Sequence, residues 1–328
     1  MKIGILTSFV GDYKNYIKAC EAMGVDYEVI DIFDAGWLEL VKKSKCDGFM
    51  VRPPCDSEER KYCFDERVYS IVTHLQKKIY PSMGEISIYE NKRNLHYWLK
   101  INGYKHADTN VSLTKDEAIK YISSCEYPII AKSNIGAMAS GVVKINNISQ
   151  AKRYVNSIFG YFDGKLAIGK MPVTRKFKFK IPMIGRAQKH YAIFQECLDV
   201  KWEWRIIRIN NSYFGYRKLL GSDGFASGNH LDGWGNPPEE LLYLVKEMCD
   251  KGSFYSMAVD FLETNDGQFY VNEMQTCFGA SNPSQMYIDD KPCRYLWNGN
   301  EFELEYGYFC ENGCSNLRVE HFVELLKV

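Results

Sequence analysis

The chain has 328 residues, more than one small core needs and enough for two or three domains. Apolar residues make up 46% and charged residues 25%, a balance that excludes disordered and fibrous classes and fits a soluble globular protein. The 41 basic and 41 acidic residues cancel to a formal net charge of zero, so no global field draws the chain to nucleic acid or an anionic membrane, and neither is expected as a partner.

Residues 2–7 read as a buried strand, and the apolar start breaks at Gly11 and Asp12, too early for a signal peptide. Residues 13–23 repeat with a helical period that puts Tyr16, Cys20 and Met23 on one face. A strand at 27–32, a helix at 37–43, an apolar run at 49–51 stopped by Pro53 and Pro54, and a helix at 66–77 follow. Strand and helix in alternation imply a parallel sheet with right-handed crossovers, so residues 1–85 are read as a small doubly wound α/β domain.

A second unit, 86–195, begins with a helix at 91–102 closed by Gly103 and continues with a helix at 116–123. The apolar run 127–132 ends in Lys132, the loop SNIGAMASG follows, and residues 142–145 return as a strand, so the loop is expected at a hairpin tip. Between Gly164 and Gln195 stand Lys165, Lys170, Arg175, Lys176, Lys178, Lys180, Arg186 and Lys189 with no acidic residue, either a solvated loop or a surface for an anionic ligand. The third unit, 196–328, is entered through a strand at 191–197 that straddles its boundary. It carries strands at 204–210 and 213–216, a helix at 238–251, a strand pair at 256–275 and an amphipathic helix near 318–326. No segment approaches the roughly 20 apolar residues of a membrane span.

The strand pair holds the most informative chemistry. Its two apolar runs meet across Asp266 and Gly267, which suit a two-residue turn; Asn265 then faces Gln268, and Asp260 falls opposite Glu273. Facing Cβ atoms in such a pair lie roughly 4.5–5.5 Å apart, where two carboxylates repel unless a cation joins them. Gln275 shares that face by the period-two alternation of strands, giving three hard oxygen donors suited to Mg2+. The competing reading is a solvated face in which each acid pairs with a lysine. Lys132 ends its strand beside Gly136, Ser140 and Gly141, whose amides can cradle phosphate, although Lys and Gly are also ordinary hairpin-tip residues. Neither GxxxxGK[ST] nor an early GxGxxG is present.

In order along residues 86–283 these pieces resemble the ATP-grasp superfamily, particularly the branch of ribosomal-protein glutamate ligases, glutathione synthetase and D-alanine ligases. The resemblance implies an α/β pre-ATP-grasp domain followed by a two-lobed α+β ATP-grasp fold. ENKRNLHYWLKINGYKHADT resembles the helix that bears a phosphate-binding lysine, here Lys92, and YPIIAKSNIGAMASGV the second lysine and phosphate loop, here Lys132, Ser140 and Gly141. FQECLD is similar to the hinge that meets adenine, which implies Glu196, Cys197 and Leu198. WEWRIIRI implies Glu203 for the ribose and Arg205 for the transferring group, while GYRKLLGSDGFASGN implies Arg217, Lys218 and Asn229. DFLETNDGQFYVNEMQTCFG resembles the metal segment, with Asp260, Glu273 and Gln275 as ligands.

Three departures stand out. Gln275 replaces the usual Asn, the interval from Lys132 to Glu196 is long, and Glu203 lies between Trp202 and Trp204, whose ordinary role is packing. The resemblance implies a Mg-ATP-dependent carboxylate-amine ligase that forms an acyl phosphate and releases ADP and phosphate. Arg205 and Arg217 would stabilise developing charge, and the substrates would be small molecules or peptides, with an anionic partner suggested by the basic stretch. A regulatory ATP-binding module and a small-molecule kinase are the alternatives, and a homodimer is a common arrangement among such proteins. His96 and His106 lack metal spacing, and His230 lies in a loop where substrate contact competes with simple exposure. The 11 cysteines, Cys310 and Cys314 among them, show no CxxC or zinc pattern and fit free thiols in a reducing cytoplasm.

Overall fold

The computed structural model describes residues 1–7, 13–136, 141–160, 188–221, 232–278 and 282–327. They form two compact units. One holds Met1–Pro54, Cys63–Tyr89 and Val200–Val328, and the other holds Cys55–Tyr62 and Glu90–Asp199.

The first unit opens with β1 (Lys2–Thr7), α1 (Lys14–Met23), β2 (Asp26–Asp31), α2 (Trp37–Lys43), β3 (Gly48–Met50), α3 (Glu58–Thr73, whose residues 58–62 count with the other unit), β4 (Lys78–Tyr80) and α4 (Met83–Ile88). The strands pair in the order β2-β1-β3-β4, all parallel, as the alternation predicts. On α1 the buried face is Tyr16, Ala19 and Cys20, and Met23 is exposed because Gly24 ends the helix in the left-handed region. Helix α3 begins well before residue 66: Ser57 accepts from the Arg60 amide, and Glu58 and Glu59 suit the positive end of a helix.

The second unit contains α5 (Lys92–Asn102), β5 (Thr109–Ser112), α6 (Lys115–Ser124), β6 (Ile129–Lys132), β7 (Val142–Ile145), α7 (Ile148–Phe159) and β8 (Ala192–Glu196). Asn91 caps α5 through the Asn94 amide, and Gly103 closes it at φ 74°. The strands form an antiparallel sheet in the order β5-β8-β6-β7, with Ala118, Ile122, Ala131, Val155 and Phe194 in the core beneath α6 and α7. The hairpin expected around Lys132 is present, with Lys132 opposite Val142.

The chain then returns to the first unit with β9 (Val200–Ile209), β10 (Ser212–Lys218), β11 (Asp232–Gly233), α8 (Glu239–Gly252), β12 (Ser256–Thr264), β13 (Phe269–Gln275), β14 (Tyr287–Ile288), β15 (Lys291–Trp297), β16 (Phe302–Tyr306) and α9 (Glu311–Lys327). These strands build one sheet in the order β13-β12-β9-β10-β15-β14, with β11 beside β10 and β16 beside β15. The span α9 is interrupted by left-handed backbone at Asn312, Gly313 and Cys314, and the tail helix that follows packs on the first sheet, where Val319 and Phe322 join Ile3, Ile5, Tyr16 and Cys20. That face has α1 and needs further apolar cover; Gly48 lets α9 approach so closely that an added Cβ would lie 2.7 Å from Phe322. The cysteines are free thiols. Among the described residues no helix is long and apolar enough to cross a membrane.

Candidate functional site

The neighbours β13, β12, β9 and β10 bring chemistry together on one face of the large sheet. A tight connection through Asn210, at φ 53°, sets Ser212 opposite Ile209, and the ladder carries this register on to Tyr216 opposite Arg205 and Lys218 opposite Glu203. On the other side of β9, Asp260 lies opposite Arg205 and Leu262 opposite Glu203. One row across the sheet therefore reads Glu273, Asp260, Arg205, Tyr216, and the next includes Leu262, Glu203 and Lys218.

The facing of Asp260 and Glu273 arises differently from the two-residue turn expected. The loop is longer: the Thr264 amide donates to the Gln268 carbonyl, and Gly267, at φ 78°, supplies the left-handed residue such a loop needs. Phe261 consequently pairs with Val271, and a bulge at Asn272 then restores Asp260 to Glu273. The buried positions Val271 and Met274 stand three apart, the break in alternation that a bulge produces.

Asp260 is 1% exposed and carries two cations. Arg205 donates from Nε to Oδ1 at 2.7 Å and from Nη2 to Oδ2 at 2.6 Å, the bidentate geometry favoured by guanidinium and carboxylate, while Lys218 Nζ donates to Oδ2 at 2.6 Å. Lys218 also reaches Glu203 Oε1 at 2.5 Å, and Asn272 Nδ2 donates to Glu203 Oε2 at 2.8 Å. Burial works to raise the Asp260 carboxyl, but Arg205 and Lys218 overcome it and hold the group at about 2. Burial wins at Glu203, which lies above its ordinary value despite Lys218. Glu273 has no partner among the described residues, and Gln275 Oε1 accepts from Arg205 Nη2 at 3.4 Å.

A divalent cation finds a usable donor set here. Glu273 offers a carboxylate without a partner among the described residues, Asp260 Oδ1 accepts from Arg205 Nε and retains a lone pair, and Gln275 adds an amide oxygen on the same face. These are two carboxylates and an amide. Among the described residues no group of three or more His, Cys, Asp or Glu is arranged to hold a metal.

Arg217 is not brought together with Arg205. It pairs with Trp204 in the ladder and so points to the opposite face, where its guanidinium lies 4.8 Å from the Trp202 ring and 5.5 Å from that of Trp204. Both indole N–H groups donate to Glu263 Oε2, Trp204 at 2.7 Å, and Lys201 Nζ reaches Oε1 at 3.3 Å. The expected packing role of the two tryptophans is met on this face, while Glu203, between them in sequence, faces the other way. Counting back from the Asn210 turn was the signal that separates Arg217 from Lys218.

In the second unit Lys92 Nζ donates to the Gly136 carbonyl at 2.8 Å and lies 3.7 Å from Glu90. Lys132 ends β6, and the Ser133 amide donates to the Gly141 carbonyl at 2.9 Å. Gly141 has φ 83°, and a Cβ there would lie 2.1 Å from Ser133 Oγ, so the hairpin closes on a position only glycine fills without movement. Glu196 ends β8 and accepts from the Asp108 amide at 2.7 Å, with Cys197 and Leu198 following it. His96 Nδ1 and His106 Nε2 are hydrogen-bonded at 3.2 Å. Ser140, Asn229, His230 and most of the basic stretch lie outside the described residues.

No protein-family model matches the chain, and no curated protein does. Solved structures match over most of its length. A D-cycloserine synthetase is 15% identical, with 99% of this chain and 100% of that one covered at a TM-score of 0.64. A D-alanine–D-alanine ligase from Bacillus anthracis complexed with ATP is 13% identical, covering 100% and 99% at a TM-score of 0.61. A RiPP-associated ATP-grasp ligase from Chryseobacterium gregarium, in complex with ADP and a leader and core peptide, is 13% identical, covering 84% and 89% at 0.54. At these identities the likeness is one of fold.

Proposed function

We propose that this chain, which has the ATP-grasp fold, is an ADP-forming carboxylate-amine ligase dependent on Mg-ATP. The observation that carries this reading is the row of Glu273, Asp260 and Arg205 on one sheet face, with Lys218 and Glu203 beside it. It joins an uncommitted carboxylate to two cations held ready by their own counter-charges. The division into 1–85, 86–195 and 196–328 belongs to the same reading.

In the reaction, a substrate carboxylate oxygen attacks the γ-phosphorus of ATP as the bond to the β,γ-bridging oxygen breaks, giving an acyl phosphate and ADP. An amine then adds to the acyl carbon, loses a proton, and phosphate leaves with the acyl C–O bond. Glu273, Asp260 and Gln275 would hold Mg2+, which when bound offsets phosphate charge. Arg205, fixed by Asp260, presents a guanidinium that never deprotonates, and Lys218 presents an ammonium that can move from its carboxylates to an incoming phosphate oxygen. Lys92 and Lys132 serve the nucleotide phosphates, Glu196, Cys197 and Leu198 the adenine, and Glu203 the ribose. Lys218 takes the place in this reading that the resemblance implies for Arg217. The substrates are a small-molecule or peptide carboxylate and an amine.

The test is release of ADP and phosphate on adding paired carboxylates and amines, with the product identified by mass spectrometry. Glu273→Ala should fold normally and lose turnover; full activity in that variant would remove the metal assignment. ADP without phosphate would indicate a kinase. Tight ATP binding that no substrate pair turns into ADP would indicate a regulatory module, a reading favoured by the engagement of Asp260 with two cations.

A further inference from the structure

The segment from Ser133 to Gly136, just beyond Lys132, is held at most of its polar backbone atoms, and one residue far away in sequence holds both those of Ile135. Gln188 Nε2 donates to the Ile135 carbonyl at 2.6 Å, and its Oε1 accepts from the Ile135 amide at 2.9 Å, so one side-chain amide engages both polar groups of that residue, with Ser133 Oγ a second donor to the carbonyl at 3.1 Å. Tyr191 OH donates to the same Oε1 at 2.6 Å and accepts from the Asn134 amide at 2.9 Å. Gln188 sits in the left-handed region at φ 40°, uncommon for a residue with a side chain, and so is held there by its surroundings. Asn134 and Ile135 are buried. From the other side the Lys92 amide donates to the Asn134 carbonyl at 3.2 Å, the Arg93 amide to Asn134 Oδ1 at 2.9 Å, and Lys92 Nζ to the Gly136 carbonyl at 2.8 Å.

We propose that Gln188 is a positioning residue for nucleotide phosphates: by clamping Ile135 through both its backbone groups, it fixes the Gly136 carbonyl on which the Lys92 ammonium rests. The inference depends on the ATP reading above and adds a residue that the resemblance does not nominate. A carbonyl free to swing would let the ammonium wander, and a point charge on a flexible stem positions a phosphate only when its anchor is fixed. The clamp touches nothing assigned to adenine or ribose, so its loss should be felt by the phosphates alone.

Isothermal titration of the full chain with Mg-ATP and, separately, with adenosine tests this. Gln188→Met keeps length but neither hydrogen bond; it should weaken ATP by about tenfold and leave adenosine at its wild-type affinity. Gln188→Glu keeps the acceptor but sets a carboxylate oxygen against the Ile135 carbonyl, so it should weaken ATP at least as much as Gln188→Met and likewise spare adenosine. Equal weakening of both ligands, or no change in ATP affinity, would overturn the proposal. Should Gln188→Met fail to fold, Tyr191→Phe decides: it keeps the ring 4.2 Å from the Arg93 guanidinium and removes the hydroxyl, and it should show a smaller loss confined to ATP. An unchanged ATP affinity in that variant again rejects the clamp. Wild-type protein that binds neither ligand would reject the ligase reading and the clamp together, whereas wild-type binding with unaltered variants rejects the clamp alone.

Discussion

Strands β9, β10 and β12 carry a charged cluster on each face, built from alternate residues of the same segments. On one face Arg205, Lys218, Asp260 and Glu203 satisfy one another as ions out of water. On the other, Arg217 lies against indole rings and Glu263 accepts from two indole N–H groups and Lys201. The aromatic arrangement is largely complete with groups that do not leave. The ionic one consists of partners that a stronger charge can exchange, beside Glu273, which has none among the described residues. Polar side chains in similar numbers thus make a fixed brace on one side and a surface prepared for an anion and a cation on the other.

The contrast breaks if the two clusters respond alike to substitution. Asp260→Asn strips Arg205 of its counter-ion and Lys218 of one of its two, and should cost about 3–5 kcal/mol in urea unfolding, the largest effect expected. Glu263→Ala leaves two indole donors without their acceptor and should cost about 1–3 kcal/mol, with turnover retained. A Glu263 variant more damaging than Asp260→Asn would reverse the ranking and the interpretation of the faces. Arg217→Met loses contact with the rings and should cost about 1 kcal/mol at most, with kcat close to wild type.

Acidity sharpens the comparison inside the ionic cluster, because its two acids have opposite slopes. The Asp260 carboxyl is depressed from 3.8 to about 2, so its contribution is present above pH 4 and is lost as pH falls toward 2. Glu203 is raised above 4.5, so its contribution is fullest below that value and falls as pH rises toward its folded pKa. Glu203→Gln should therefore match wild type near pH 4 and gain stability relative to it as the pH is raised, as read from unfolding midpoints across pH. A difference that shrinks with rising pH would mean that Lys218, not burial, governs this carboxylate.

The alternation of strand and helix in the first 80 residues was legible because apolar period and breakers agree there. The facing of Asp260 and Glu273 was legible too, though through a turn counted one residue short and a bulge not counted at all. What stayed hidden depends on contacts across long sequence separations. Nothing near Gln188 announces that its amide will serve Ile135, and nothing near residue 318 tells that its helix covers Ile3 and Ile5. Arg217 and Lys218 are adjacent and chemically alike, so local pattern could not choose between them; only a register counted from Asn210 does.

The extra residue at Asn272 gives β13 something like a reading frame. Delete it and every side chain from Glu273 to Gln275 changes sides, so Glu273 turns toward the apolar layer beneath α8 and Met274 turns out beside Asp260. A one-residue change in the loop at 265–267 does the same to the far half of the hairpin unless a second change restores the phase. Relatives of this chain should therefore vary in loop length and bulge together, and a design that trims the loop must trim the bulge with it.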